Sequence, residues 1–119
     1  YDKKFMIADG KALPFSDGYF TKVTIVGVLH HLTLDDCNSV LTEVRRVLAP
    51  KGELLIMEDT KTDFLPIKII QHFDQGDFIR TTEEWRRMFT ERFMLKKEWI
   101  FRNGLVFYSA FLLDNRDER

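Results

Sequence analysis

The chain has 119 residues, 45% of them apolar and 13% aromatic, and its 18 lysines and arginines nearly balance 19 aspartates and glutamates for a net charge of −1. So apolar a composition excludes disorder over most of the length, and the near-even charge argues against a dedicated nucleic-acid binder. A single cysteine, Cys37, rules out an internal disulfide and fits a reducing, cytoplasmic setting, and there is neither a signal-peptide pattern nor an apolar run of the roughly eighteen residues that would suggest a membrane span.

In chain order, Phe5-Met6-Ile7-Ala8 reads as a buried strand closed by the Asp9-Gly10 turn. Residues 11–22 form a loop around Leu13-Pro14-Phe15 and Asp17-Gly18. Residues 23–29, β-branched and almost continuously apolar, predict a strand covered on both faces, as in a parallel sheet. Thr33 is the predicted N-cap of a helix over 35–48, with Asp35 and Asp36 in its first turn. Cys37, Val40, Leu41, Val44, Val47 and Leu48 then recur on one face, with Glu43, Arg45 and Arg46 off it. Ala49-Pro50-Lys51-Gly52 is expected to stop the helix and turn the chain back.

Glu53-Leu54-Leu55-Ile56-Met57 predicts the next buried strand, with Glu58 and Asp59 at its end reading either as lining of a substrate pocket or, more plainly, as a solvated polar edge. Pro66 opens a short helix with Ile67, Ile69, Ile70 and Phe73. Thr81 and Glu84 form a capping box for a helix that turns Trp85, Met88 and Phe89 inward. Residues 93–101 and 105–113 are strands joined through Asn103-Gly104, a pair favoured in tight hairpins. Trp99 is expected in the core. Residues 1–113 thus form one α/β domain, its parallel strands followed by an antiparallel hairpin, and 114–119 a polar tail.

Four stretches carry a resemblance: Ala8-Asp9-Gly10-Lys11-Ala12-Leu13-Pro14-Phe15, Asp17-Gly18-Tyr19-Phe20, Val28-Leu29-His30-His31-Leu32, and the run from Glu43 through Pro50-Lys51-Gly52 to Ile56. In this order and spacing the chain resembles class I S-adenosylmethionine-dependent methyltransferases, in particular the small-molecule branch that resembles the ubiquinone and menaquinone biosynthesis enzymes. The resemblance implies a Rossmann-like sheet and methyl transfer from S-adenosylmethionine to a small molecule. It covers the later part of the family's domain. The glycine-rich loop after the family's first strand and the acidic residue after its second have no counterpart, and Thr21 stands where the family usually has Asp.

By that resemblance, Asp9 would accept from the adenine amino group, and Gly10 and Lys11 would offer backbone contacts. Val28, Leu29 and His30 would lie beside the methionine part of the cofactor, at the carboxyl ends of the strands where ligands of open α/β sheets bind. His30 and His31 are the weak catalytic candidates near that edge, since imidazole can take a proton near neutrality. The plainer reading has one histidine packing or capping the helix and the other solvated. His30, His31, Asp35, Asp36, Glu58 and Asp59 lack a recognised ligand spacing, so no metal is expected.

The family's strand order, 3-2-1-4-5-7-6, leaves the strand at 23–29 with an open apolar edge when strands one and two are not present. The reading expects residues 5–8 or another chain, such as a second copy in a homodimer, to cover it. A non-catalytic module that uses this edge for self-association or protein binding is the alternative function.

Overall fold

The structure, a computed structural model, describes residues 8–60, 78–104 and 106–115. In chain order these residues form β1 (Phe20–Val26), a 3-10 turn (Leu29–His31), α1 (Leu34–Val47), β2 (Leu48–Asp59), α2 (Thr82–Thr90), β3 (Phe93–Asn103) and β4 (Val106–Asn115). The strands make one sheet in the order β1-β2-β4-β3. β1 and β2 are parallel, with Ile25 opposite Ile56, and the β2–β4 and β4–β3 pairs are antiparallel. This is the mixed α/β, Rossmann-like sheet the sequence predicts, parallel first and closed by a hairpin.

Alternation along β2 decides where the core lies. Leu54, Ile56 and Glu58 are buried, while Leu55, Met57 and Asp59 between them are half-buried. Both helices pack on the buried face. Cys37, Leu41 and Val44 of α1 and Trp85, Met88 and Phe89 of α2 meet Ile25, Leu54, Ile56, Phe111 and Leu113 in one cluster. The Thr33 hydroxyl accepts from the Asp36 N–H, and the Thr81–Glu84 capping box is complete. Each helix therefore begins where its cap satisfies N–H groups that would otherwise lack partners.

Four expectations are corrected. The strand predicted over 23–29 begins earlier, at Phe20, and stops at Val26. Gly27 takes φ of 65° and turns the chain off the sheet, so Leu29 belongs to the 3-10 turn. The residues expected to halt the helix and reverse the chain instead lie inside β2, because the backbone goes straight from Val47 into extended Leu48.

Gly52 has no positive φ, and its need is space: a Cβ there would sit 2.6 Å from the Leu48 side chain and 3.0 Å from the Ala49 carbonyl. Gly52→Ala is expected to lower stability by about 1–3 kcal/mol through overpacking, read from the urea midpoint.

The third correction concerns Trp99, which is 40% exposed rather than in the core. The β3–β4 register slips between Leu95 and Lys97, so residues after the slip change faces. Phe93 and Leu95 face the helices, while Trp99 pairs with Ala110 on the opposite face, the Lys97 amino group 5.2 Å from its ring. Last, β4 runs through Asp114 and Asn115, two residues into the expected tail. Asn115 is buried and its side-chain N–H donates to the Leu48 and Ala49 carbonyls, tying the end of β4 to the start of β2. Of the strand expected over 5–8, Ala8 is described and lies in no strand; residues 5–7, the helix with Ile67, Ile69, Ile70 and Phe73, and residues 116–119 lie outside the described residues. Among those described, β1 pairs with β2 alone.

Candidate active site at the carboxyl edge of the parallel strands

The loop before β1 is laid along α1 by side chains of the helix. Gly10 lies against Val40, where an added Cβ would be 3.5 Å from its methyl group. The Lys11 amino group is 3.6 Å from the Asp36 carboxylate, and the Leu13 N–H donates to Glu43 at 2.8 Å. Arg46 closes the far end with bonds to the Leu13 carbonyl and to Asp17. The run therefore starts at the first turn of α1 and proceeds toward its carboxyl end. Asp9-Gly10-Lys11 is thus brought to the same end of the sheet as the turn that bears His30.

Asp9 is exposed, and its Oδ1 accepts from the Lys11 N–H at 2.9 Å. The Ala12 N–H closes a tight turn on the Asp9 carbonyl. The Arg46 guanidinium, followed by the Leu13 N–H, holds the Glu43 carboxyl below the usual carboxylate range. A carboxyl lowered in the folded state stabilises above its unfolded range and loses that contribution as pH falls through its own. Acidification through that lowered range is therefore expected to free the Leu13 N–H, while neutral pH keeps it tethered; amide exchange at Leu13 reads this directly.

Glu58 organises the other half of the site. The solvated edge expected at Glu58-Asp59 is corrected here, because Glu58 is fully buried. Its Oε2 accepts from the Val28 and Leu29 N–H groups, both at 3.1 Å, and its Oε1 from the His30 N–H at 3.2 Å. The same Oε1 lies 2.9 Å from Nδ1 of the His30 ring. One carboxyl thus satisfies the donors at the start of the 3-10 turn, which no intrahelical acceptor can reach. Arg80 holds the other end, donating to the Leu29 carbonyl at 3.4 Å and the Leu32 carbonyl at 3.2 Å, with its guanidinium over the Trp85 ring. The His30 carbonyl accepts from the Phe78 N–H at 3.0 Å.

The histidines separate as the plainer reading expected. His30 is buried, and His31 is exposed with its ring 4.0 Å from that of His30. Nε2 of His30 lies 3.9 Å from the Asp59 carboxylate. Leu29 has its side chain in the core and its N–H on Glu58, while Val28 presents an exposed side chain. Cys37 packs beneath the turn, its thiol toward the Leu29 carbonyl, and burial pushes that thiol up from its ordinary pKa.

Asp59 also lines a cavity of about 240 Å³ with Val26, Gly27, Met57, Phe101, Asn103 and Tyr108. Phe101 and Tyr108 stack in its wall at 5.2 Å. It opens where β1 and β2 end, the edge at which open α/β sheets take ligands. Phe78 is partly exposed next to the turn that bears His30. Sequence reading missed Glu58 and Arg80 as the two residues that fix the turn. Among the described residues no helix is long and apolar enough to cross a membrane.

Comparison with known proteins agrees with this architecture. Residues 2–56 match the methyltransferase domain family. The ubiquinone/menaquinone biosynthesis C-methyltransferase UbiE of Paraburkholderia phymatum is 41% identical over 56 residues, which is 47% of this chain and 22% of that protein. A SAM-dependent methyltransferase from Methanosarcina mazei superposes with a TM-score of 0.81 at 16% identity, over 94% of this chain and 66% of that one. Geranyl diphosphate C-methyltransferase from Streptomyces coelicolor, a structure that holds S-adenosyl-L-homocysteine, superposes with a TM-score of 0.69 at 13% identity, over 92% and 50%. In sequence over its first half, and in fold over most of its length, the chain is similar to one class, the class I S-adenosylmethionine-dependent methyltransferases. Within it, the first half of the chain is similar to the ubiquinone/menaquinone C-methyltransferases, of whose length the match spans under a quarter.

Proposed function

We propose that the chain serves S-adenosylmethionine-dependent methyl transfer to a small molecule, as the carboxyl-terminal part of a methyltransferase domain. The observation that carries this reading is that two turns lie at the same end of α1. Asp9-Gly10-Lys11 arrives there along the helix, and Val28-Leu29-His30 is held there by Glu58.

The residues present fit one side of such a cofactor. Asp9 is exposed and, with one bond to Lys11, keeps acceptor capacity for an amino group. Val28 offers an exposed apolar side chain. The N–H groups of Val28, Leu29 and His30 are committed to Glu58, so this turn would meet a ligand through side chains. When bound, S-adenosylmethionine supplies a methyl group on a positively charged sulfur, an electrophile that is already activated. The chain's own part is then to align donor and acceptor and to exclude water. The rigid turn and the cavity beside it suit that task.

Calorimetric titration with S-adenosylmethionine and S-adenosylhomocysteine tests the reading. Micromolar binding is expected, weakened about tenfold by Asp9→Ala, the equivalent of about 1.4 kcal/mol. Absence of binding, both by this chain and by a longer polypeptide carrying a glycine-rich segment ahead of Tyr1, would overturn it.

A further inference from the structure

The group that the proposed reaction leaves unused is the series of buried Glu58, buried His30 and half-buried Asp59. Glu58 receives three backbone N–H groups, which can only donate, so both its oxygens act as acceptors. The His30 ring presents Nδ1 to Oε1 at 2.9 Å. In that pairing Nδ1 carries the hydrogen, and neutral imidazole then leaves the lone pair on Nε2. Nε2 in turn lies 3.9 Å from the Asp59 carboxylate, and Asp59 forms part of the cavity wall.

We propose that Glu58 is a positioning residue that fixes His30 as the Nδ1–H tautomer, so that Nε2, next to Asp59 at the cavity wall, is where the site takes up a proton. The balance is simple. The Nε2 lone pair accepts a proton, and the resulting imidazolium lies between two carboxylates, with Nδ1–H on Glu58 and Nε2–H directed to Asp59. The other charged or titratable groups around the turn are His31, whose ring lies against that of His30, and Arg80 and Cys37 on its far side. Arg80 engages the carbonyls of the turn rather than the ring. On the methyl-transfer reading, on which the use of this proton rests, it is the one that an oxygen or nitrogen acceptor releases.

The arrangement also explains why the turn is held at both ends. A ring that must keep one nitrogen on a buried carboxylate and direct the other to a cavity wall cannot be left to rotate. Glu58 grips the backbone of the same residue whose ring it orients, which fixes His30 at two points.

Nitrogen-15 NMR of the full chain, labelled at histidine, tests the proposal without substrate or cofactor. His30→Gln identifies the His30 signals. The neutral ring is expected to show the hydrogen on Nδ1 with Nε2 unprotonated, and protonation moves the Nε2 resonance far more than that of Nδ1. Glu58→Gln is expected to shift the tautomer toward Nε2–H; Asp59→Asn is expected to keep the hydrogen on Nδ1. A wild-type ring with its hydrogen on Nε2 overturns the proposal, and so does an Asp59→Asn variant whose ring carries it there. If Glu58→Gln does not fold, the tautomers of the wild type and of Asp59→Asn still decide. Calorimetry keeps the two ideas apart. The expected tautomer, with S-adenosylhomocysteine bound neither by this chain nor by the longer polypeptide, retains the proton site and loses the methyltransferase reading, and tight binding with an Nε2–H ring does the reverse.

Discussion

Replacing Glu58 with alanine is expected to destabilise the fold by on the order of 4 kcal/mol. The side chain is fully buried, and its removal strands three backbone N–H groups and the Nδ1 hydrogen at once. Each buried donor left unpaired costs about 1–3 kcal/mol, and breaking one partner out of a buried charged cluster costs about 3–5 kcal/mol. Water admitted to the space recovers part of the sum, which sets the expectation below simple addition. Urea denaturation followed by circular dichroism measures it. Glu53→Ala is the contrasting variant, since Glu53 pairs with Lys96 at 2.8 Å on the exposed surface. Its midpoint should barely move, because an exposed pair is screened by solvent and salt. Similar losses from the two variants would mean that the Glu58 cluster is far wetter than its burial indicates.

Trp85→Ala is the second large effect, expected at about 3–5 kcal/mol. The indole is fully buried between α2 and the sheet and stacks on Phe89 at 5.8 Å. It also has two contacts toward the site: its Nε1–H donates to the Asp59 carbonyl at 3.1 Å, and the Arg80 guanidinium lies 5.0 Å from its ring. Cavity formation accounts for most of the cost, with the lost hydrogen bond and cation–π contact adding to it. Trp85→Phe separates the contributions, because it keeps most of the apolar volume and removes the donor. It should recover more than half of the stability while loosening the end of β2, so that amide exchange at Thr60, whose N–H bonds to the Phe107 carbonyl, speeds up. Unchanged exchange at Thr60 would show that the indole N–H has no part in holding the Asp59 end of the strand.

Much of this architecture was legible in the residues because local signals agreed with one another. The Thr33 and Thr81 caps, the helical faces on Cys37, Leu41 and Val44 and on Trp85, Met88 and Phe89, and the Asn103-Gly104 turn each say the same thing at two levels. The misreadings arise where a long-range contact decides. Continuous apolar character from Val23 to Leu29 conceals the break at Gly27, since Val28 and Leu29 are as apolar as a strand would be. Trp99 shares parity with Phe93 and Leu95, and only the slip near Lys96 turns it to the other face.

Glu58 was legible in part. Leu54, Ile56 and Glu58 alternate inward, so strand periodicity alone places that carboxylate on the core side. What periodicity cannot supply is the partner, because the N–H groups that satisfy it come from a turn about thirty residues earlier in the chain. The Arg80 clamp was opaque for the same reason, as its acceptors are carbonyls on the far side of α1 in sequence.

The strand order has a consequence for synthesis. β4, made after every other described strand, takes an inner place between β2 and β3. While the ribosome is still translating, at about 5–20 residues per second, β2 has its parallel neighbour β1 and nothing on its other side. The antiparallel partner that zips Glu53 through Asp59 arrives only with residues 108–114. Until then a long strand edge waits unpaired, a template for any stray extended segment nearby. A nascent chain of this order is therefore expected to depend on chaperones until β4 emerges, and to become aggregation-resistant only as that strand slides into the gap.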